Sequence, residues 1–184
     1  MHGPATAGWL LVTLCAASGA YCLLRMRRGA GEERRAAGGE ALMGFGMAAM
    51  AVPAAVFVPP SWSWAVYAAV FGGAALRALW SARRGGHHLH HTVGSVAMVY
   101  MALAMTLPAQ GAHGAHGAGA AGLPVLTGAL LLYYTVYVLR SGARLVPAGV
   151  TAGGASPGWA ARPELAAACR LSMGLAMLAM LVTM

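Results

Sequence analysis

His87-His88-Leu89-His90-His91-Thr92-Val93-Gly94-Ser95-Val96-Ala97-Met98-Val99-Tyr100-Met101-Ala102-Leu103-Ala104-Met105 sets four histidines at the mouth of an apolar run that carries three methionines. A run of this length and composition reads as a helix buried in an apolar medium. On that helix His87, His91, Gly94, Met98, Met101 and Met105 share one face, because every step between them is three or four residues. Two other apolar segments carry matching ladders: Met43, Met47 and Met50, and then Met173, Met177, Met180 and Met184.

The composition places these ladders in a bilayer. Of 184 residues, 59% are hydrophobic and 9% charged, against about a quarter charged in soluble domains. The formal net charge is +8, which in a soluble chain would suggest nucleic acid. Here all twelve basic residues are arginines, mostly in short stretches between apolar runs. That is the pattern of membrane topology, and no basic helix or aromatic platform for nucleic acid accompanies it.

A spanning helix needs about 20 apolar residues. Six segments meet or approach this, at residues 4–24, 41–58, 63–82, 88–108, 123–140 and 164–184. The fold expected is therefore all-α, an integral membrane bundle of six transmembrane helices forming a single domain over residues 1–184. The first apolar run has its arginines (Arg25, Arg27, Arg28) after it, the inverse of a secretory signal, and reads as a retained span. The intervening stretches alternate. Residues 26–40, 83–86 and 140–163 carry arginine, whereas 59–64 and 108–124 carry none. The positive-inside rule then puts the basic loops in the cytoplasm and both termini outside a plasma membrane. Pro53 is expected to kink the second helix near Met50.

The ladders carry the chemistry. In the second segment Glu40, Met43, Met47 and Met50 step by three or four, as do Cys169, Met173, Met177, Met180 and Met184 in the sixth. Methionine packs well, and a stripe of it can be core alone. Three stripes together with a histidine cluster and a cysteine suggest more, because thioether and thiolate ligands select Cu(I) and imidazole suits copper as well. His87 and His91, one turn apart, can hold one ion from a single helix. Glu40, His87, Glu164 and Cys169 each stand near the start of their segments, at the cytoplasmic end. Glu40 and Glu164 can equally serve as carboxylates favoured by a helix N-terminus. Arg170, one turn into the last segment, is expected to pair with Glu40 or Glu164. Cys15 and Cys22 read as small packed or lipid-facing residues, and three cysteines without a CxxC make no disulfide framework.

Enzyme constellations are missing. The chain has no aspartate and no lysine, which removes most triads, two-metal sites and phosphoryl-transfer schemes. No enzymatic activity is expected. Three readings remain. One is a membrane protein binding copper through Met43, Met47, His87, His91, Met98, Met101, Cys169, Met173 and Met177, with Glu40 beside them, for transfer, storage or sensing. Another is a non-catalytic accessory subunit, a homo-oligomer or a member of a membrane complex, whose methionines only pack. The last is a haem-binding electron carrier, limited to His–Met ligation because the helix-borne histidines lie on one helix.

The motifs Met43-x-x-x-Met47-x-x-Met50, His91 through Met98-x-Tyr100-Met101, and Met173-x-x-x-Met177-x-x-Met180 resemble those of an actinobacterial family of small multi-pass membrane proteins of unknown function. The resemblance covers nearly the whole chain and implies a membrane location and about six helices, with no established activity. In that family a histidine often precedes the second-helix ladder. Here the matching position is Glu40, which argues against a histidine-only metal site.

Overall fold

A computed structural model describes residues 4–53, 56, 59–60, 62–82, 89–106, 123–145 and 162–183. Among them there are six helices and no strand: α1 (Pro4–Arg28), α2 (Gly31–Met50), α3 (Ser63–Ala82), α4 (Leu89–Thr106), α5 (Pro124–Leu145) and α6 (Pro163–Thr183). Three of them, at Thr6–Arg28, Pro124–Arg144 and Pro163–Thr183, are long and apolar enough to cross a membrane. At about 1.5 Å per residue each exceeds the roughly 30 Å of a hydrocarbon core.

α2 starts ten residues earlier than hydropathy suggests and ends eight earlier. Residues 26–40, expected as a loop, are almost wholly helical, and the α1–α2 connection is only Gly29 and Ala30. Gly31 supplies the positive φ of 54° that this tight reversal needs. Glu32 and Glu33 lie in the first turn of α2, where the helix dipole favours them. At the other end Ala51 N–H still donates to Met47 O at 2.9 Å, and Pro53 then stops the helix. Proline disfavours helical geometry in the residue before it and offers no N–H of its own. Pro53 therefore ends α2 and does not kink it.

The chain forms two compact units. The first comprises Met1–Pro53 and Leu131–Val182, the second Ala54–Leu130 with Thr183–Met184.

In the first unit α1 and α2 make an antiparallel hairpin with an unusually close crossing. A Cβ on Gly44 would lie 2.9 Å from both Cα and N of Gly19. Small residues permit such approach between apolar helices. α6 joins α1 through Ser18 Oγ and Ser172 Oγ, 3.0 Å apart. α5 packs on α6 where Gly174 lies beneath Tyr137 and Val138. Burial here inverts the pattern of a soluble bundle. Cys15, Ser18, Cys22, Ala37 and Ala41 are buried, while Leu10 is 70% exposed, Leu132 68% and Leu139 67%. Leucines outward and small or polar residues inward suit a helix bundle surrounded by lipid. The chain is thus membrane-associated.

In the second unit α3 packs against α4. Tyr100 Oη hydrogen-bonds Thr127 Oγ1 at 2.6 Å, tying α4 to the start of α5. Tyr67 stacks on Phe71 within α3, with ring centroids 6.1 Å apart.

Candidate functional site

The inward stripe of α1 runs Cys15, Ser18, Cys22 and Arg25, with steps of three, four and three. That spacing keeps all four on one face. The two-residue turn after α1 then sets the register in which α2 meets this stripe, and Cys22 comes opposite Glu40.

Glu40 is buried in the middle of α2, with 3% of its surface exposed. It does not open the helix, so the N-terminal dipole is not what stabilises it. Three side chains do. Arg170 Nε donates to Oε1 at 2.7 Å, Arg25 Nη1 lies 3.6 Å from Oε2, and the Cys22 thiol donates to Oε2 at 3.5 Å. The pairing expected of Arg170 is thus made with Glu40. Arg25 is shared, its Nε and Nη2 both donating to Glu33 Oε1, at 3.2 and 3.1 Å. Two guanidiniums and two carboxylates make the Glu40 cluster formally neutral, so the buried Glu40 charge is compensated. Glu164 stands separately in the first turn of α6, as its position after Pro163 suggests.

From Glu40 the methionine ladders lead inward. Met43 and Met47 on α2 are buried, as are Met173, Met177 and Met180 on α6. Cys169 is half-buried, and Ser172 Oγ donates to its carbonyl at 2.9 Å. The first unit therefore contains six of the sequence-derived candidates: Glu40, Met43, Met47, Cys169, Met173 and Met177.

The second unit contains His91, Met98 and Met101, all on α4. Met98 and Met101 are buried, and His91 is half-buried with its ring centroid 6.1 Å from that of His90. Seven residues separate His91 from Met98, about 10.5 Å along the axis, so these two do not ligate one ion from α4. His87 lies outside the described residues. Among the described residues no three His, Cys, Asp or Glu side chains form a group that could hold a metal ion.

Sequence reasoning does not bring Arg25, Cys22, Cys15 and Ser18 to the site: it reads the two cysteines as small packed or lipid-facing residues and Arg25 as a topology signal, and passes over Ser18. The signal was available, since the α1 stripe repeats the three-and-four spacing of the ladders. Its residue types are mixed, however, and no single chemistry advertises it.

No curated protein and no solved structure matches the chain. The model of a domain of unknown function, DUF5134, matches residues 32–184, which span α2 through α6, and the chain belongs to that family.

Proposed function

We propose that this chain is a multi-pass membrane protein that binds a soft transition metal, copper as Cu(I), through a Met/His/Cys-lined helical interior. Transfer, storage and sensing of the ion are the roles such an interior serves. One observation carries the reading. In the first unit the sulfur side chains of Cys15, Cys22, Met43, Met47, Met173 and Met177 are all buried, while Leu10, Leu24, Leu42, Leu165, Leu175 and Val182 of the same helices are exposed and Leu181 alone among their leucines is buried. Packing alone would be served as well by leucine, which is close to methionine in volume. Placing the thioethers inward is what Cu(I) ligation requires. His91, Met98 and Met101, with His87, are the corresponding candidates in the second unit, and Cys169 and Glu40 border the first.

The topology proposed is six membrane-crossing helices in a plasma membrane, with the basic ends cytoplasmic and both termini outside. In the first unit, Arg25, Arg27 and Arg28 close α1, Arg34 and Arg35 open α2, Arg144 closes α5 and Arg162 precedes α6. The α1–α2 hairpin and the α1–α6 contacts bring the ends of α1, α2 and α6 to one side, consistent with a single cytoplasmic face.

The test replaces Met43, Met47, Met173 and Met177 together by leucine, keeping volume while removing the thioethers. Under this reading the variant folds, and its Cu(I) affinity in detergent falls by at least about tenfold, or about 1.4 kcal/mol. Unchanged affinity rejects the reading. A second reading, an accessory subunit whose methionines only pack, is favoured by the neutralised Glu40 cluster, which stabilises the bundle without any ion. It predicts no Cu(I) binding in either protein.

A further inference from the structure

Three helices of the first unit meet at the Glu40 cluster, where Glu40 of α2 touches both Arg170 of α6 and Cys22 of α1. Moving seven residues along each helix in the same spatial direction leads from Glu40 to Met47, from Arg170 to Met177, and, on antiparallel α1, from Cys22 back to Cys15. A seven-residue step is almost two full turns, drifting only about 20°. The faces that converge at the charged cluster therefore converge again about 10.5 Å further in.

Contacts between the two levels agree with this register to within two residues, about 3 Å along the axis. Ser18 meets Ser172 at 3.0 Å. A Cβ on Gly44 would come 3.1 Å from Cys15 O. Burial agrees as well: Met47 is 0% exposed, and Cys15 and Met177 are each 1% exposed. One thiol and two thioethers, each from a different helix, thus lie within about one helical turn of one another near the middle of α1.

We propose that Cys15, Met47 and Met177 form the core site of this protein for a thiophilic monovalent ion, a proposal that rests on the copper reading above. Trigonal sulfur ligation by soft donors suits Cu(I). The charge argument explains why a cysteine stands at this depth. A cation held by thioethers alone would leave an uncompensated charge in a low-dielectric interior, which is costly. The Cys15 thiol gives up its proton as its sulfur bonds the ion, so Cys–SH and Cu(I) become neutral Cys–S–Cu(I) and a proton. Binding is consequently coupled to proton release. The hydroxyl pair of Ser18 and Ser172 lies between this level and the Glu40 cluster.

The experiment titrates the detergent-solubilised full chain with Ag(I), a redox-inert stand-in for Cu(I), in weak buffer, following affinity by chelator competition and protons by indicator dye. The wild type is expected to release about one proton per ion at the tightest site. Cys15→Ser should weaken that site by more than about tenfold, equivalent to about 1.4 kcal/mol. Should Cys15→Ser fail to fold, a chain whose only thiol is Cys15, carrying Cys22→Ser and Cys169→Ser, must still release the proton on binding. Tight Ag(I) binding without proton release from that chain, or equal affinity in a folded Cys15→Ser, overturns this site and leaves the copper reading standing. Failure of the wild type to bind Ag(I) or Cu(I) overturns both.

Discussion

Gly44→Ala isolates the contact on which the α1–α2 hairpin depends. The added Cβ would sit 2.9 Å from Cα and N of Gly19 and 3.1 Å from Cys15 O, all backbone atoms that cannot rotate away. Ordinary carbon contacts lie at about 3.5–4.0 Å, so the helices must separate by roughly half an ångström or more. Overpacking of this kind costs about 1–3 kcal/mol. Alanine also has a higher helix propensity than glycine, by about 1 kcal/mol in water, which partly offsets that cost. Gly72→Ala provides the reference, because a Cβ on Gly72 in α3 meets nothing within 4 Å. It carries the propensity gain without the clash. Gly38→Ala is a second reference, since its nearest contact is the flexible tip of Met26. Unfolding by denaturing detergent, followed by circular dichroism, should place Gly44→Ala about 1–3 kcal/mol below Gly72→Ala, with Gly38→Ala near the latter. Because the shift moves α1 away from α2 between the Glu40 and Met47 levels, Gly44→Ala should also weaken Ag(I) binding. Equal stability of the Gly44 and Gly72 variants would refute the close crossing and the register built on it.

Other expectations follow from the same unit. Glu40→Gln keeps the shape but removes the charge facing Arg170 and Arg25; in the same unfolding assay it should cost about 1–3 kcal/mol. Glu33→Ala, at a side chain 56% exposed, should stay within about 0.5 kcal/mol of wild type. Ser18→Ala and Ser172→Ala, taken singly and together, should give a double-mutant coupling near 0.6 kcal/mol, about the mean for hydrogen bonds between membrane helices; additive effects would count against the α1–α6 contact. Cysteines placed at Arg27 and Arg144 should both react with an impermeant maleimide from the cytoplasmic side of vesicles. Labelling of the two from opposite sides would reject the proposed topology.

Much of the helical framework is legible in the sequence, because apolar runs and their flanking prolines and arginines are strong local signals. The segment at residues 63–82 coincides with α3, and those for α4, α5 and α6 differ from the structure mainly at their ends. The miss at α2 has a clear cause. Hydropathy treats Glu32 to Arg35 and Glu40 as loop, yet glutamate, arginine and alanine are good helix formers. Once Gly31 turns the chain, nothing breaks the helix before Pro53. The methionine ladders are legible too: of their described side chains, Met43, Met47, Met98, Met101, Met173, Met177 and Met180 are buried and Met50 is half-buried. What local pattern cannot supply is register between helices. Arg170 has two carboxylates to choose from, and the choice of Glu40 follows from the register of α6 against α1 and α2, which the Ser18–Ser172 contact marks. The opposition of Cys22 to Glu40 depends on the turn at Gly29-Ala30 and the close packing at Gly19 and Gly44, and the approach of Cys15, Met47 and Met177 to within about one turn depends on both registers. The resemblance to a family of unknown function holds over residues 32–184, but it assigns no chemistry to any of these side chains.

The most direct test of the copper reading is the metal content of the full-length protein, purified in mild detergent from cells grown with ordinary copper. Inductively coupled plasma mass spectrometry would compare the wild type with the folded variant carrying leucine at Met43, Met47, Met173 and Met177. The reading predicts copper near one ion or more per wild-type chain, lost in the variant. Absence of copper from both, persisting after loading with Cu(I), would contradict it and leave the buried sulfur ladders as packing.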